Sequence, residues 1–295
     1  MSVLKSILAG FAAMAVGLFF MGVGRQISAR LQRRVGPPLW QPYVDVIKCF
    51  ARKSTSHHFI MDLGSMMGLA GLVAAATLLP VAGWLPFPSG GPLIVILYLM
   101  PIGYLGMAMG VSASGNPLAA IGIGRALTLM VGYEVPFAIL LLSIVAAFNT
   151  SLLSVMAQVQ SGGLGTWNAV RMPLGFIAAL IAMQAMLAEK PFDAMIAPAE
   201  IASGPMVELG GKFLGMAFLQ HAVSTYVVTG LVVNMFLGAA ASVPVFFLKQ
   251  LVLFSLTMGV NGIFARFRIE QATAFLWLSA GSLSLVQLVL NLILY

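Results

Sequence analysis

Charged side chains are scarce in this sequence. They make up 8% of its 295 residues, and 60% of the residues are hydrophobic, whereas a soluble domain carries about 25% charged residues. So much apolar surface cannot be buried in a water-soluble globule of this size, so lipid is the natural solvent. The net charge of +7 would suggest nucleic acid in a soluble chain. In a membrane chain it follows from basic loops retained in the cytoplasm, and we expect no nucleic-acid partner.

Residues for catalysis or cofactor binding are also few. Cysteine occurs once, at Cys49, which excludes a disulfide framework and a cysteine cluster for zinc or iron–sulfur. The sequence has no phosphate-binding loop of the Walker type, no Gly-x-Gly-x-x-Gly after a strand and no arrangement of nucleophile, His and Asp. We expect no cofactor and no metal in this chain, and no covalent catalysis by it alone.

Long apolar runs predict an all-α membrane bundle of about eight transmembrane helices, forming a single membrane domain over residues 1–295. A bilayer core needs roughly 20 apolar residues per helix. Runs of this kind lie at 2–24, 61–82, 92–113, 127–149, 171–188, 213–237, 243–264 and 272–295. The fifth run is the shortest, and Pro191 follows it closely.

The distribution of charge predicts the orientation of the bundle. Twelve of the fifteen Lys and Arg residues lie in loops that follow odd-numbered runs, and the other three are Lys5, Arg171 and Lys249. We therefore expect a multi-pass protein of the cytoplasmic membrane with both termini on the outer side. The loops at about 25–60, 114–126, 188–212 and 265–271 then form its cytoplasmic surface. Seven of the eight acids also lie on that side.

The stretch 24–54 is the most cationic part of the chain. A turn at Gly36-Pro37-Pro38 is followed by apolar residues at helical spacing, which predicts an amphipathic helix at the membrane surface. Such a helix either touches anionic lipid or docks a protein, and composition leaves both possibilities open. The apolar positions are Trp40, Val44, Ile47 and Ala51, and the charged positions of the stretch are Arg25, Arg30, Arg33, Arg34, Asp45, Lys48, Arg52 and Lys53.

Glu134 is the one acid well inside an apolar run, about seven residues from its start, which is roughly 10 Å of helix. An ionisable side chain in a membrane span is costly and usually faces a bundle interior or a water cavity. Pro136 frees a backbone carbonyl one turn back, which favours local hydration. We expect Glu134 to carry protons or ions, and the alternative is a neutral Glu that only joins helices.

A second group of acids follows the fifth run, in residues 188–212. Glu189, Asp193, Glu200 and Glu208 alternate with prolines at 191, 198 and 205. The prolines exclude one continuous helix and predict a folded segment whose apolar residues dock into the bundle. An ordinary solvated loop is the alternative. His221, in the sixth run, is either a hydrogen-bonded helix contact or part of a proton relay.

Three ordered blocks resemble one family over nearly the whole chain. They are ARLQRRVGPPLWQPYVDVIK (29–48), RALTLMVGYEVPFAI (125–139) and EKPFDAMIAPAEIASGPMVELGGKF (189–213), and ARFRIEQ (265–271) is similar to the family's last basic loop. The family is the membrane subunit beneath the peripheral arm of respiratory complex I. The compact GPPLWQPYVDVIK is similar to the version in energy-converting NiFe hydrogenases of group 4, including the Ech and formate hydrogenlyase types. Ser203-Gly204-Pro205 departs from the complex I pattern, so quinone contacts are not carried over.

The resemblance implies an anchoring and coupling role. Hydrogenase large and small subunits and an iron–sulfur ferredoxin-like subunit would dock here and hold the NiFe centre and the iron–sulfur clusters. An antiporter-like membrane subunit would move H⁺ or Na⁺, driven by ferredoxin-dependent proton reduction. The implied ion path comprises Glu134, Glu189, Asp193, Glu200 and Glu208, and the relay hypothesis drawn from the residues alone adds His221. The implied docking residues are Arg25, Arg30, Arg33, Arg34, Trp40, Asp45, Lys48, Arg266 and Arg268.

Three other functions stay open from the sequence. One is the quinone-chamber subunit of a complex I-type oxidoreductase, or a relative that reduces sulfur. Another is an ion transporter that works alone, and the third is a passive structural anchor. The set of copurifying chains would distinguish them.

Overall fold

The computed structural model describes residues 2–56, 58–88 and 90–294, and these residues form helices and connecting segments without an extended strand. The α-helices are α1 (Ser2–Leu31), α2 (Gln41–Ala51), α3 (Phe59–Leu78), α4 (Leu93–Leu99), α5 (Pro101–Ser112), α6 (Pro117–Phe148), α7 (Leu153–Val159), α8 (Asn168–Arg171), α9 (Pro173–Met186), α10 (Pro198–Ile201), α11 (Lys212–Phe236), α12 (Val243–Ile263), α13 (Ile269–Leu276) and α14 (Ser282–Leu294). A π-helical turn, Trp277–Gly281, joins the last two. The predicted all-α membrane bundle is confirmed.

Seven helical segments within the described residues are long and apolar enough to cross a membrane. They are Val3–Leu31, Phe59–Leu78, Leu93–Ser112, Pro117–Phe148, Lys212–Phe236, Val243–Ile263 and Ile269–Ile293. The predicted fifth span, 171–188, corresponds to α9, which has 14 residues. At 1.5 Å per residue α9 is about 21 Å long, less than the roughly 30 Å of a bilayer core. Seven full-length helices and one short helix therefore make up the predicted eight.

Two helices extend beyond the apolar runs that predicted them. The first helix continues to Leu31 and α6 begins at Pro117, so Arg25, Arg30 and Arg125 lie on helices and not in loops. Hydropathy detects the apolar part of a helix, whereas backbone hydrogen bonding continues through arginine, which is a good helix former.

Helix α11 is the centre of the bundle, and most of its side chains are buried. The first helix packs closely against it at Gly17, where an added Cβ would lie 2.0 Å from the Ala222 carbonyl oxygen. Helices α3 and α5 approach each other through Gly64 and Gly106 in the same way. Small residues at such crossings allow the backbones to pack closely, as is typical of membrane helices.

The predicted surface helix is α2. Its Pro42 and Val46 are buried against the bundle, and Val46 packs with Leu18 and Ala222. Trp40 and Ile47 are 66% and 67% exposed. The predicted apolar stripe therefore faces away from the protein, and a second apolar face attaches the helix to α1 and α11.

The acidic segment 188–212 folds as predicted into short pieces docked on the bundle. It contains α10 and a 3₁₀ turn, Gly204–Val207. Phe192, Met195 and Ile201 are buried, which confirms the expected docking for these three. Val207 is another apolar residue of the segment, for which docking was expected; it does not dock and is 49% exposed at the end of the 3₁₀ turn.

Candidate functional site

Two cavities meet at Glu189 and His221. The first, which we call the vestibule, has a volume of about 490 Å³ and lies along the end of α1 and α12. The second, the inner cavity, has a volume of about 280 Å³ and lies between α3, α5 and α11. Met21, Glu189 and His221 line both. Both cavities are mainly apolar, and the vestibule also has polar and charged lining residues, namely Arg25, Ser28, Gln32, Arg34 and Asn261.

Glu189 is positioned by the end of α9. Its N–H donates to the Gln184 carbonyl, and the Gln184 amide donates to the Lys190 carbonyl at 2.6 Å. His221 Nε2 lies 3.9 Å from Glu189 Oε1. Burial raises the pKa of Glu189 to about 8, the nearby charge of Asp193 adds to this, and Lys190 opposes it. A carboxyl in this setting exchanges its proton close to neutral pH.

Asp193 is held by the loop between α12 and α13. Arg266 Nη2 donates to Asp193 Oδ2 at 2.6 Å, and both side chains are less than one-fifth exposed. The Phe267 N–H donates to the Pro191 carbonyl at 2.9 Å, which fixes the backbones of the two segments together. Burial raises the pKa of Asp193 although Arg266 acts against it.

Glu200 and Glu208 bind the start of α6. Arg125 Nη1 donates to Glu200 at 2.6 Å, and Arg266 lies 3.7 Å from the same carboxylate. The hydrogen bond from Arg125 holds the pKa of Glu200 below its usual range. Glu208 accepts a hydrogen bond from the Asn116 amide. The four acids of the segment therefore divide: Glu189 and Asp193 line the inner cavity, and the other two hold the segment onto α6.

Glu134 is the eighteenth residue of α6, and the helix continues unbroken through Pro136. Measured from the first residue of α6 it lies about 25 Å along the helix, because α6 begins ten residues before the apolar run that starts at 127. Its Oε1 is buried and accepts no hydrogen bond from the described residues.

Two tyrosines, which the sequence did not single out, interact with Glu134 and Glu189; Tyr133 is buried and Tyr104 is partly buried. Tyr104 lines the inner cavity, and its hydroxyl donates to the Met186 carbonyl at 3.1 Å. It interacts electrostatically with Glu189 and with Tyr133, and Tyr133 interacts with Glu134. Glu134 is thus linked to the inner cavity through side chains. The sequence signal was weak, since a lone tyrosine in a membrane helix is common.

The predicted docking residues fall into two groups. Arg25 and Asp45 form an ion pair at 2.6 Å that fastens α2 to α1, and Gln41 donates to the same carboxylate. Burial favours a higher pKa of Asp45, but the contacts with Arg25 and Gln41 hold this pKa below its usual range. Arg266 is likewise paired inside the protein. The remaining residues are exposed, namely Arg30, Arg33, Arg34, Trp40, Lys48 and Arg268. A docking role for either group stays a prediction.

Metal binding is not indicated in the part of the chain that the structure describes. No group of three or more His, Cys, Asp and Glu side chains lies together there. The chemistry that the site offers is proton exchange at carboxyl and imidazole groups beside a cavity.

The fold and the site define a multi-pass membrane subunit with a cavity and acids close to one surface. The family model described as NADH dehydrogenase matches residues 4–292, and the chain belongs to this family, whose members include the membrane subunit of complex I. The resemblance seen in the sequence is thereby confirmed.

Named relatives come from several kinds of complex. One subunit of the F(420)H(2) dehydrogenase of Methanosarcina mazei is 27% identical, over 92% of this chain and 89% of that protein. Hydrogenase-4 component C of Escherichia coli is 29% identical, over 88% of this chain and 86% of that protein. One subunit of the NADH-quinone oxidoreductase of Dehalococcoides mccartyi is 29% identical, over 97% of this chain and 84% of that protein. The chain is therefore a membrane subunit of a respiratory-type oxidoreductase complex.

A solved structure matches the fold over nearly its full length. It is a chain of the membrane-bound sulfane sulfur reductase, an archaeal respiratory membrane complex. The match has a TM-score of 0.92 and 34% sequence identity, and it covers 98% of this chain and 99% of that chain. The arrangement of helices is thus that of a subunit that works within a larger membrane assembly.

Proposed function

We propose that this chain is the anchoring and coupling subunit of an energy-converting NiFe hydrogenase in the cytoplasmic membrane. It docks a peripheral arm on its cytoplasmic surface, and its acids pass charge changes at that surface into the membrane. The observation that carries the proposal is the meeting of the vestibule and the inner cavity at Glu189 and His221, 3.9 Å apart.

The geometry supports a path with two ends. Glu189, which titrates near neutral pH, lies at the cavity junction. From there, Tyr104 and Tyr133 lead by electrostatic contact to Glu134 in the middle of α6. Redox chemistry in a docked arm changes charge next to Glu189. A proton or a charge displacement then passes to Glu134 and on to an antiporter-like neighbour that moves H⁺ or Na⁺.

Asp193 and Glu200 have a role different from that of Glu189. Both are held by arginines at 2.6 Å, so they remain ionised more readily than Glu189 and set its electrostatic surroundings. Arg266 touches both. A movement of the last cytoplasmic loop would therefore alter the charge that Glu189 experiences, which lets a docked subunit act on the path without touching it.

The chemistry of the arm has two candidates. Hydrogenase activity is favoured by the compact 36–48 block and by the similarity to hydrogenase-4 component C. Reduction of sulfane sulfur is favoured by the 34% identity to a chain of that reductase. Under either candidate the redox centres lie in partner subunits: a large and a small subunit and an iron–sulfur ferredoxin-like subunit.

Purification of the intact complex from its native membrane tests the proposal. The expected preparation contains a large subunit that retains the NiFe-binding cysteines, and it evolves hydrogen from reduced ferredoxin. Sulfane sulfur reduction without hydrogen evolution would select the second candidate. Quinone reduction would select a complex I-type enzyme, and ion transport by this chain alone in liposomes would contradict a subunit role altogether.

A further inference from the structure

A groove with a volume of about 470 Å³ lies between α1 and α12 and is also lined by Tyr43 of α2. Its lining side chains are apolar apart from the Tyr43 hydroxyl. Among them, Ala15 and Phe19 of α1 and Pro244 and Leu248 of α12 are exposed. Both helices are long and apolar enough to cross a membrane, so the groove opens into hydrocarbon. We call it the α1–α12 groove.

Packed aromatic side chains give the groove a fixed shape. Phe20, which lines it, stacks on Phe254 with the ring centres 5.7 Å apart. Phe247, which also lines it, packs edge-on against Phe246 with 6.0 Å between the ring centres. Phe20, Phe246 and Phe254 are buried, so these rings hold the walls of the groove in place. A preformed groove binds a flexible chain without rearrangement of the protein, which lowers the free-energy cost of binding.

The groove belongs to one half of the membrane. Its residues on α12 lie between Pro244 and Leu251, within the first half of that helix. Towards the other half, α2 packs against α1: the Tyr43 hydroxyl donates to the Ala15 carbonyl at 2.6 Å, and Val46 packs with Leu18 further along. A lipid tail therefore reaches the groove from the leaflet that surrounds the starts of α1 and α12. In the predicted orientation this is the outer leaflet.

Lys5 supplies a positive charge on the same face of α1. It precedes Val16 and Phe19 by 11 and 14 residues, which is about three and four helical turns, so the three residues lie in one row along the helix. The rise from Lys5 to Val16 is about 16 Å, close to half of the roughly 30 Å of a bilayer core. Lys5 is exposed and forms no ion pair with any residue that the structure describes. A cation at the membrane surface and an apolar groove near the middle of the bilayer match the two ends of a phospholipid.

We propose that the α1–α12 groove is a binding site for one phospholipid of the leaflet that is the outer one in the predicted orientation. One hydrocarbon tail lies in the groove, and the phosphate lies beside Lys5. The same two helices line the vestibule with Met21 and Met258, so a lipid between them on the other half of the membrane also holds the spacing of the vestibule walls. The site goes beyond the proposed function, because it does not depend on the reaction of the docked arm.

A phosphatidylglycerol with a photoreactive diazirine near the end of one tail tests the site, added as a small fraction to phosphatidylcholine vesicles that hold the complete complex. The expected cross-links fall on Val16, Phe19 and Leu251. Ala15→Phe, which places a large side chain in the groove, should lose them. Ala274→Phe, at an exposed alanine of α13, is the matched control and should keep them. Cross-links spread evenly over the exposed side chains of α13 and α14 would indicate bulk lipid only and overturn the proposal.

Lys5→Met tests the phosphate contact, and Lys53→Met is the matched control, because it removes the same charge from an exposed position on the predicted cytoplasmic side. In detergent without phospholipid, both variants and the unsubstituted complex should melt at the same temperature. Added phosphatidylglycerol stabilises the form that binds it. The concentration that gives half of the rise in melting temperature should be about fivefold higher in Lys5→Met, which is the contribution of one lysine near a membrane surface, and unchanged in Lys53→Met. Equal concentrations in all three proteins would contradict the site.

Discussion

His221 Nε2 lies 3.9 Å from Glu189 Oε1 at the junction of two cavities. Helix α11 supplies the imidazole, and the segment after α9 supplies the carboxyl. The distance is too long for a direct hydrogen bond and short enough for one side chain to respond to the charge of the other. The pair therefore lies where the vestibule and the inner cavity share lining residues.

The protonation of Glu189 gives the first prediction. Burial raises its pKa to about 8, so infrared spectra of the complex should show a protonated carboxyl band that disappears as pH rises through about 8. The band should be absent in Glu189→Gln and present in Glu270→Gln, where an exposed acid is changed. Loss of the band below about pH 6 in the unsubstituted protein would contradict the assignment.

The raised pKa of Glu189 also determines how the stability of the protein changes with pH. A carboxyl with a raised pKa in the folded state holds a proton that the unfolded chain releases near about pH 4.3. The stability that this bound proton gives to the folded state is fully present below that pH and is lost as pH rises towards about 8. Melting temperatures in detergent should fall less between about pH 5 and pH 8.5 in Glu189→Gln than in the unsubstituted protein, and an equal fall would count against the shift.

The ion pair of Arg266 with Asp193 gives a third prediction. Both partners are less than one-fifth exposed, and removal of one partner of a buried pair costs about 3 kcal/mol or more. Arg266→Met should lower the melting temperature and expose the 188–212 segment to protease. Arg268→Met is the control, since Arg268 is exposed and pairs with no acid in the described part of the chain. Similar effects of the two substitutions would show that the ion pair of Arg266 with Asp193 does not stabilise the 188–212 segment.

A fourth prediction concerns the packing of the first helix on α11. The Cβ of Gly17→Ala would lie 2.0 Å from the Ala222 carbonyl oxygen, so the helices must separate at a cost of about 1–3 kcal/mol. Gly259→Ala is the control, because nothing lies within 4 Å of that Cβ. Heat stability in detergent should fall in the first variant and stay unchanged in the second. No loss in Gly17→Ala would mean that this contact is loose.

The fifth prediction concerns Lys249, which lies on the predicted outer side of the membrane. Its ammonium donates to the carbonyl groups of Leu237 and Gly238 at 2.6 and 3.3 Å, where α11 ends, and lies 4.6 Å from the centre of a Trp167 ring. A cation at a helix C-terminus stabilises it, so Lys249→Met should cost about 1 kcal/mol or more. Lys5→Met, at an exposed lysine of α1, should leave the melting temperature unchanged, and equal values for both variants would exclude a capping role.

Much of this architecture follows from the sequence. Apolar runs predicted the membrane helices because each must satisfy its own backbone in lipid. Prolines at 191, 198 and 205 predicted the broken segment after α9. The helix ends at Leu31 and Pro117 were not predictable from hydropathy, because helices continue into water when their residues favour them.

The site was predictable only in part. Glu189 and Glu134 were identified from clustering and from depth. The separation of Glu189 and Asp193 from Glu200 and Glu208 was not predictable, because the partners Arg266, Arg125 and Asn116 lie far away in the sequence. Tyr104 and Tyr133 also needed three dimensions, because they come from different helices.

Coupling between the redox arm and the membrane is the central claim, and the most direct test is the number of ions pumped per electron by the complete complex in liposomes. Glu134→Gln and Glu189→Gln should assemble with the peripheral arm and lose pumping, and Glu270→Gln should pump normally. Unchanged pumping in both of the first two variants would contradict the account and leave this chain as a passive anchor.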